Sequence, residues 1–334
     1  MSGNGTLRNK AALRMRVAGI IAQRKRLAVI VIGGVLLMLA VVLTLVFLPA
    51  NDPQPKATWI WDTAQIEQRP EEIVDFAERE DVKVIFLQIG GGVGNDSYRR
   101  FISLAASHGI EVHALNGHPE WALREQRREG DDFLNWVAVY NRGVSPEERF
   151  KGVQFDVEPY LLKTWTKERE SIVEQWMEGI RAWTETAKYN NLQIGAAVPF
   201  WLDEIDHPSK SVPLPLGNWM VDRFDYLAIM AYRDTAGRSY ELARTTLSEA
   251  DRQKKQVWVG VELGESTEGP GVSFHGQPLA SLNREMKQLE KLGGRHASFA
   301  GVAVHSYESW NSKLRQTGKI TDIKAAPQRA ALIV

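Results

Sequence analysis

Asp156 and Glu158 are the carboxylates best placed for chemistry, in the stretch "FKGVQFDVEPY" at 150–160. Side chains two positions apart lie on the same face of a β-strand, so Gln154, Asp156 and Glu158 share a face. The charge of Asp156 would raise the pKa of Glu158, and partial burial would raise it further. A carboxyl that stays protonated near neutral pH is the general acid that glycoside hydrolysis requires.

Three later apolar runs also end in polar side chains. In "YLAIMAY" (226–232), "QVWVGVEL" (256–263) and "GVAVHSY" (301–307), alternation places Tyr232, Glu262 and His305 on the face opposite the aliphatic residues. If these runs are parallel strands of one sheet, their carboxyl ends lie along the same edge. We therefore expect one polar cluster, formed together with the carboxylates of 150–160.

Eight short apolar runs alternate with longer amphipathic segments between residues 57 and 320. The runs are "ATWIW" (57–61), "VKVIFLQIG" (82–90), "EVHAL" (111–115), "GVQFDV" (152–157), "LQIGAAVP" (192–199) and the later runs 226–232, 256–263 and 301–307. Segments such as "PEEIVDFAERE" and "LASLNREMKQLEKLGG" have the apolar spacing of helices. Alternating strands and helices predict a parallel α/β fold, and eight repeats favour a closed (β/α)8 TIM barrel.

Barrel closure would direct the polar face of 150–160 inward. One face of each barrel strand is covered by helices and the other lines the packed interior, with active sites at the carboxyl ends of the strands. Aromatic side chains that could stack on sugar faces occur at or just beyond the predicted strand ends: Trp59, Trp61, Trp121, Phe200, Trp201 and Trp310. Each of these rings could equally pack a loop.

Four segments resemble motifs of glycoside hydrolase family 18, the chitinase family. "GVQFDVE" (152–158) is similar to the end of the motif D-x-x-D-x-D-x-E, with Asp156 and Glu158 at its last two acidic positions. "FDYLAIMAYRDTAG" (224–237) resembles the sixth-strand segment M-x-Y-D and places Tyr232 at its tyrosine. "KKQVWVGVELGES" (254–266) and "FAGVAVHSYESW" (299–310) resemble the seventh- and eighth-strand segments. The resemblance covers the predicted strands four to eight.

The resemblance implies a hydrolase of a polysaccharide that contains N-acetylhexosamine, acting without a cofactor or metal ion. It implies Glu158 as the proton donor, while the acetamido oxygen of the substrate attacks the anomeric carbon. Asp156 and Tyr232 would orient and stabilise that acetamido group, in a substrate-assisted variant of the two-carboxylate mechanism. The expected substrate-binding residues are Gln154, Trp61, Asn116, Trp201, Asp234, Glu262 and His305.

The chain departs from the family motifs at several positions. Lys151 and Gln154 replace the first two acidic residues of the fourth-strand motif, and His305 replaces the tryptophan of the eighth strand. Gln154 could hydrogen-bond Asp156 but cannot share its charge.

Two other functions stay open. "VEP" (157–159) resembles the Asn-Glu-Pro segment of retaining glycosidases, in which Glu158 would be the acid/base and Glu262 the nucleophile. The chain could also be a carbohydrate-binding barrel without turnover, since fold does not determine function.

A membrane anchor is predicted at 27–48, which carries no charge and matches the roughly 20 residues that span a bilayer. A signal peptide would have a shorter apolar region, of about 7–15 residues. Basic residues precede this segment and no acidic residue does, so the N-terminus is expected in the cytoplasm and the barrel outside, in the periplasm or on the cell surface. The expected organisation is a basic cytoplasmic segment 1–26, the anchor 27–48, a linker 49–56, the barrel 57–320 and a tail 321–334.

The charge balance, the absence of cysteine and the spacing of the histidines limit which partners and cofactors the sequence predicts. The chain has 41 basic and 41 acidic residues, so no excess of positive charge favours nucleic acid. It has no cysteine, which excludes disulfides and thiolate chemistry. His108, His113 and His118 are not tied into one cluster by their spacing, so no metal site is predicted.

Overall fold

The computed structural model describes residues 54–90, 92–208 and 214–318, together with Met38. The chain divides into two units, Met1–Asp52 and Pro53–Val334, and all elements given below belong to the second. The predicted cytoplasmic segment 1–26, the membrane anchor 27–48 (Met38 excepted), the first part of the linker and the tail 321–334 lie outside the described residues. None of the described helices has the length and hydropathy needed to cross a bilayer.

The barrel consists of eight parallel strands, each paired with the next, and is closed by pairing of the first with the last. The strands are β1 Lys56–Ile60, β2 Val82–Gln88, β3 Glu111–Asn116, β4 Gly152–Phe155, β5 Gln193–Pro199, β6 Tyr226–Met230, β7 Gln256–Glu262 and β8 Phe299–His305. Each strand overlaps one of the predicted apolar runs. The predicted (β/α)8 TIM barrel is therefore confirmed.

Helices connect the strands and cover the outside of the barrel. They are α1 Gln65–Gln68, α2 Pro70–Arg79, α3 Asn95–Ser107, α4 Arg127–Arg142, α5 Trp165–Tyr189, α6 Leu216–Arg223, α7 Ala236–Gln253, α8 Leu279–Gly293 and α9 Tyr307–Gln316. Short 3-10 helices lie in four connections, at Pro119–Ala122, Pro146–Glu148, Pro159–Leu161 and Phe200–Glu204. The segments with helical apolar spacing are helices because that spacing gives each of them one apolar face to pack against the strands.

The fourth strand shows why its polar residues face inward. Its outward residues, Val153 and Phe155, are buried beneath helices, and Phe155 stacks on Trp183 of α5 with ring centroids 4.6 Å apart and planes 10° apart. Burial of one such large apolar side chain stabilises the fold by roughly 1.5–3 kcal/mol. This packing sets the parity of β4, so Gln154 is directed into the barrel.

The barrel interior below the strand ends is filled with aromatic and polar side chains. Phe86 stacks on Tyr226 at a centroid distance of 5.8 Å, and the Tyr226 hydroxyl lies 2.9 Å from His113 Nδ1. Gln154 is fully buried, and its Oε1 accepts a hydrogen bond from Trp59 Nε1 at 2.7 Å. These contacts form a packed floor beneath the carboxyl ends of the strands.

Gly195→Ala is expected to destabilise this interior strongly. A Cβ atom at Gly195 of β5 would lie 2.2 Å from ring carbons of Tyr226. Overpacking of this kind costs about 1–3 kcal/mol or more of the free energy of unfolding, which urea denaturation would measure. Gly237→Ala in the first turn of α7 is the matched control, because a Cβ there meets nothing within 4 Å. Equal unfolding midpoints for the two variants would contradict this packing.

Candidate active site

The two carboxylates lie just beyond the end of β4. This strand ends at Phe155, whereas the sequence predicted that it continues to residue 157. The Asp156 N–H still donates to the Asn116 carbonyl of β3 at 3.1 Å, but Pro159 has no N–H to continue the ladder and begins a short 3-10 helix. Asp156 and Glu158 are therefore held on a short connection at the rim of the barrel.

Both carboxylates line a cavity of about 560 Å³ at this rim. Burial raises the pKa of Glu158 to about 7, the charges of Asp156 and Glu268 act in the same direction, and His305 opposes them. Burial also raises the pKa of Asp156, again opposed by His305. Glu158 is thus able to hold a proton near neutral pH, as expected from its spacing to Asp156.

Aromatic rings form much of the cavity wall: Trp59, Trp61, Tyr160, Phe200, Trp201 and Tyr232. Tyr160 lies edge-on to Trp201, with centroids 5.0 Å apart and planes at 73°. The Tyr160 hydroxyl also donates a hydrogen bond to Glu158 Oε2. The cavity therefore combines flat apolar surfaces with a few polar groups, as carbohydrate sites do.

Tyr232 follows β6 and lines the same cavity, with its ring centroid 5.8 Å from that of His305. Burial raises the pKa of its hydroxyl well above the ordinary value, and the charges of Glu262, Asp156 and Glu158 raise it further. Tyr232 consequently stays protonated and can donate a hydrogen bond to a ligand. The three predicted catalytic residues are brought together in one cavity.

Gln154 does not make the hydrogen bond to Asp156 that its position had led us to expect. Its oxygen is bound by the indole N–H of Trp59, and Asp156 Oδ1 is buried without a hydrogen-bond partner among the described residues. The reason is that Gln154 lies deeper in the barrel than Asp156, which it precedes by two residues, and is level with the interior aromatic side chains. Gln154 therefore supports the floor of the cavity and does not line it.

Among the predicted substrate-binding residues, His305, Trp61 and Trp201 line the cavity, whereas Glu262 does not. One Glu262 oxygen accepts from the Gly264 N–H at 2.5 Å, and the other lies 2.7 Å from His305 Nδ1. Both carboxylate oxygens of Glu262 are therefore engaged by other groups of the protein.

Two predicted substrate-binding residues make other contacts. Asn116 Oδ1 accepts hydrogen bonds from the Gly117 N–H at 2.9 Å and from Gln88 Nε2 at 3.3 Å. The Asp234 carboxylate lies 3.7 Å from Arg238 Nη1. Neither Asn116 nor Asp234 lines the cavity.

Two of the candidate stacking residues are buried in the core instead. Trp121 packs against Phe133 and Phe155, and Trp310 packs edge-on against Phe76 of α2. Trp310 lies in α9 and not in a loop, and its side chain is fully buried. A sequence position near a predicted strand end therefore does not distinguish aromatic residues that are buried in the core from those that line the cavity.

The structure adds cavity residues that the sequence reasoning missed. They include Tyr160, Leu161 and Glu268. Tyr160 had a usable signal, since it lies two residues after Glu158 at the same strand end. Glu268 had none, because it lies in the long connection after β7 with no periodic pattern. In the described part of the chain, no group of three or more His, Cys, Asp or Glu side chains is placed to hold a metal ion.

No protein-family model and no curated protein sequence matches the chain. Several solved structures resemble it at low sequence identity. A chitinase from Bacteroides thetaiotaomicron is 12% identical, over 77% of this chain and 91% of its own, with a TM-score of 0.49. A chitinase from Chromobacterium violaceum ATCC 12472 is 10% identical, over 80% of this chain and 100% of its own, with a TM-score of 0.47.

The PgaB (BpsB) glycoside hydrolase domain from Bordetella bronchiseptica is 12% identical, over 80% of this chain and 98% of its own, with a TM-score of 0.47. Chitinases and another glycoside hydrolase domain are thus among the solved structures similar to this chain. At these identities and TM-scores, the similarity says nothing about its activity.

Proposed function

We propose that this protein is a glycoside hydrolase that cleaves a polysaccharide containing N-acetylhexosamine units, with Glu158 as the proton donor. The observation that carries the proposal is the position of Glu158 and Asp156. Both lie at the carboxyl ends of the barrel strands, in an aromatic-walled cavity where burial raises the pKa of Glu158 to about 7. A cavity of about 560 Å³ is within the range of small-ligand sites, so it can take sugar rings.

In the proposed mechanism, Glu158 protonates the glycosidic oxygen. At the same time, the acetamido oxygen of the sugar whose glycosidic bond breaks attacks the anomeric carbon of that sugar. Glu158 Oε2 accepts from Tyr160, which leaves Oε1 to carry the proton. Asp156 lines the cavity as an acceptor for the acetamido N–H, and Tyr232 is a protonated hydroxyl in the same cavity. Water then opens the cyclic intermediate, with Glu158 acting as the base.

The contacts of Glu262 do not favour the alternative retaining mechanism. A nucleophile needs a free oxygen directed at the anomeric carbon, whereas Glu262 does not line the cavity and its two oxygens are bound by the Gly264 N–H and by His305. Glu262→Ala would abolish a trapped covalent glycosyl-enzyme if Glu262 were the nucleophile. Under the proposed mechanism, no such covalent species forms in the wild type.

The decisive test is hydrolysis by the full chain in detergent of chitin oligomers, peptidoglycan and partly deacetylated glucosamine polymers. We expect wild type to release reducing ends from a substrate with N-acetyl groups, and a fully deacetylated glucosamine polymer, added as a control, to resist cleavage. Binding of these glycans without release of reducing ends would overturn the proposal and indicate a carbohydrate-binding barrel.

The rate of hydrolysis is expected to have a bell-shaped dependence on pH. Activity should fall above a pH of about 7 because Glu158 loses its proton, and below about 6 because Asp156 gains one. The two carboxyls interact, so the apparent values belong to the pair. Measurement of kcat/KM across this range would show both limbs, and a rate that keeps rising above pH 7 would contradict Glu158 as the acid.

We also propose that the barrel is anchored to a membrane and lies outside the cytoplasm. The support is the uncharged segment 27–48, before which every charged residue is basic. Protease is added to cells whose cytoplasmic membrane is intact, after the outer membrane has been made permeable if the host is Gram-negative. Under the proposed topology, the protease should degrade the barrel. Protection of the barrel until the cytoplasmic membrane is opened would overturn this topology.

A further inference from the structure

A chain of hydrogen bonds connects the β7 loop to the wall of the cavity. The Gly264 N–H donates to Glu262 Oε1 at 2.5 Å, and Glu262 Oε2 lies 2.7 Å from His305 Nδ1. On the other side of the imidazole, His305 Nε2 lies 2.9 Å from Trp61 Nε1. Trp61 and His305 line the cavity, and Glu262 lies behind them.

The chemistry of these groups decides where the protons are. An indole N–H can only donate, so His305 Nε2 must accept from Trp61. A neutral imidazole with an accepting Nε2 carries its proton on Nδ1, which then donates to Glu262 Oε2. Glu262 therefore accepts two hydrogen bonds, one on each oxygen. A carboxylate can do this, whereas the amide of glutamine has only one accepting atom.

We infer that Glu262 is a positioning residue, which acts through His305 to hold the indole of Trp61 in the cavity wall. The backbone of Trp61 is held separately, because its N–H donates to Glu308 Oε1 at 2.8 Å. Glu262 and Glu308 thus fix the ring and the backbone of the same tryptophan. The inference rests on the proposed function only in taking the ligand to be a sugar, and it replaces direct substrate binding by Glu262.

The link to Trp61 depends on the charge of His305. The titratable side chains that the described residues place around the imidazole are Glu262, Asp156, Glu158, Tyr232 and Glu308. Burial lowers the pKa of His305, but the hydrogen bond and charge of Glu262 raise it above the ordinary value. Below that pKa, Nε2 also carries a proton, so both Nε2 and the indole nitrogen are hydrogen-bond donors and neither can accept. The hydrogen bond to Trp61 is therefore lost as the pH falls.

A double-mutant cycle tests whether Glu262 acts through Trp61. Glu262→Gln is expected to raise KM for chitin oligomers about tenfold with kcat nearly unchanged, since it removes a hydrogen bond to a charged group. Trp61→Phe keeps an aromatic ring but removes the N–H. In that background, Glu262→Gln should add little further loss, because the two changes break one chain of contacts. Equal losses in both backgrounds, or a loss mainly in kcat, would overturn the inference.

A spectroscopic test decides the same point without any enzyme activity. Two-bond ¹H–¹⁵N correlation spectra of the histidine-labelled full chain report the tautomer of each imidazole, and His305→Gln identifies the signal. In spectra recorded above the pKa of His305, we expect a neutral imidazole with its proton on Nδ1 in wild type, and loss of this tautomer in Glu262→Gln. Glu265→Gln, an exposed neighbour in the same loop, is the matched control and should leave the tautomer unchanged.

The two tests separate the inference from the proposed function. A neutral imidazole with its proton on Nε2 in wild type would overturn the series of hydrogen bonds, whatever the protein hydrolyses. If the expected tautomer is found but the protein cleaves no glycan, the series of hydrogen bonds is supported and only the proposed hydrolysis is overturned. Thermal unfolding midpoints of Glu262→Gln and Trp61→Phe near that of wild type would show that both variants are folded.

Discussion

Glu158→Gln is expected to lower kcat by about a hundredfold to ten-thousandfold, the range attributed to general acid catalysis. The amide keeps the shape of the side chain and an oxygen that can accept from Tyr160, but it has no acidic proton for the leaving oxygen. Binding should be largely preserved, because the aromatic walls are unchanged. Release of reducing ends measures the rate, and calorimetry with chitin oligomers measures the affinity.

Glu170→Gln is the matched control for this substitution. Glu170 is exposed on α5, so the same chemical change there should leave both quantities at the wild-type level. Turnover by Glu158→Gln at the wild-type rate would remove Glu158 from the mechanism. A parallel collapse of affinity and thermal stability would instead identify a structural role for this carboxyl.

Asp156→Asn is expected to lower kcat by about 10²–10³-fold, similar to the loss of one electrostatic group that stabilises a transition state. Asparagine cannot balance the positive charge that develops on the cyclised acetamido group. A second effect is expected on pH dependence. Since the Asp156 charge raises the pKa of Glu158, its removal should move the high-pH limb of kcat/KM to lower pH. A limb that stays in place or moves upward would contradict this coupling.

The same substitution is expected to stabilise the fold near neutral pH. Burial raises the pKa of Asp156 from 3.8 to about 6, so the folded state disfavours the ionised form. This carboxyl consequently favours folding below pH 3.8, and that advantage is lost as the pH rises through about 6. Asp156→Asn should then raise the unfolding midpoint at pH 7 but not in acid. Asp132→Asn on the exposed surface of α4 is the control, with little change expected at either pH.

Local pattern alone was sufficient to predict the barrel and the core of the candidate site. The alternation of apolar runs and amphipathic segments predicted all eight strands, because each element must bury its own apolar face. The two-residue period of β4 then predicted that Gln154 faces inward and that Asp156 and Glu158 lie at the rim. The order of parallel strands also placed Tyr232 and His305 at this rim, where both line the cavity.

Contacts between distant segments were decided only by the tertiary structure. The sequence contains no signal that Trp59 binds the Gln154 oxygen, or that His305 stands between Glu262 and Trp61, since each pair joins residues of different strands or loops. Loops follow no period, so Glu268 could not be predicted to reach the cavity.

The sequence by itself therefore determined which faces of the strands carry chemistry, because strand parity is a local property of the backbone. Only the tertiary structure decided which of those polar groups touch the cavity and which stand behind it. The physical reason is that side chains at one rim compete for a few hydrogen-bond partners. That competition is settled by distances across the barrel, as it is for Glu262 behind His305.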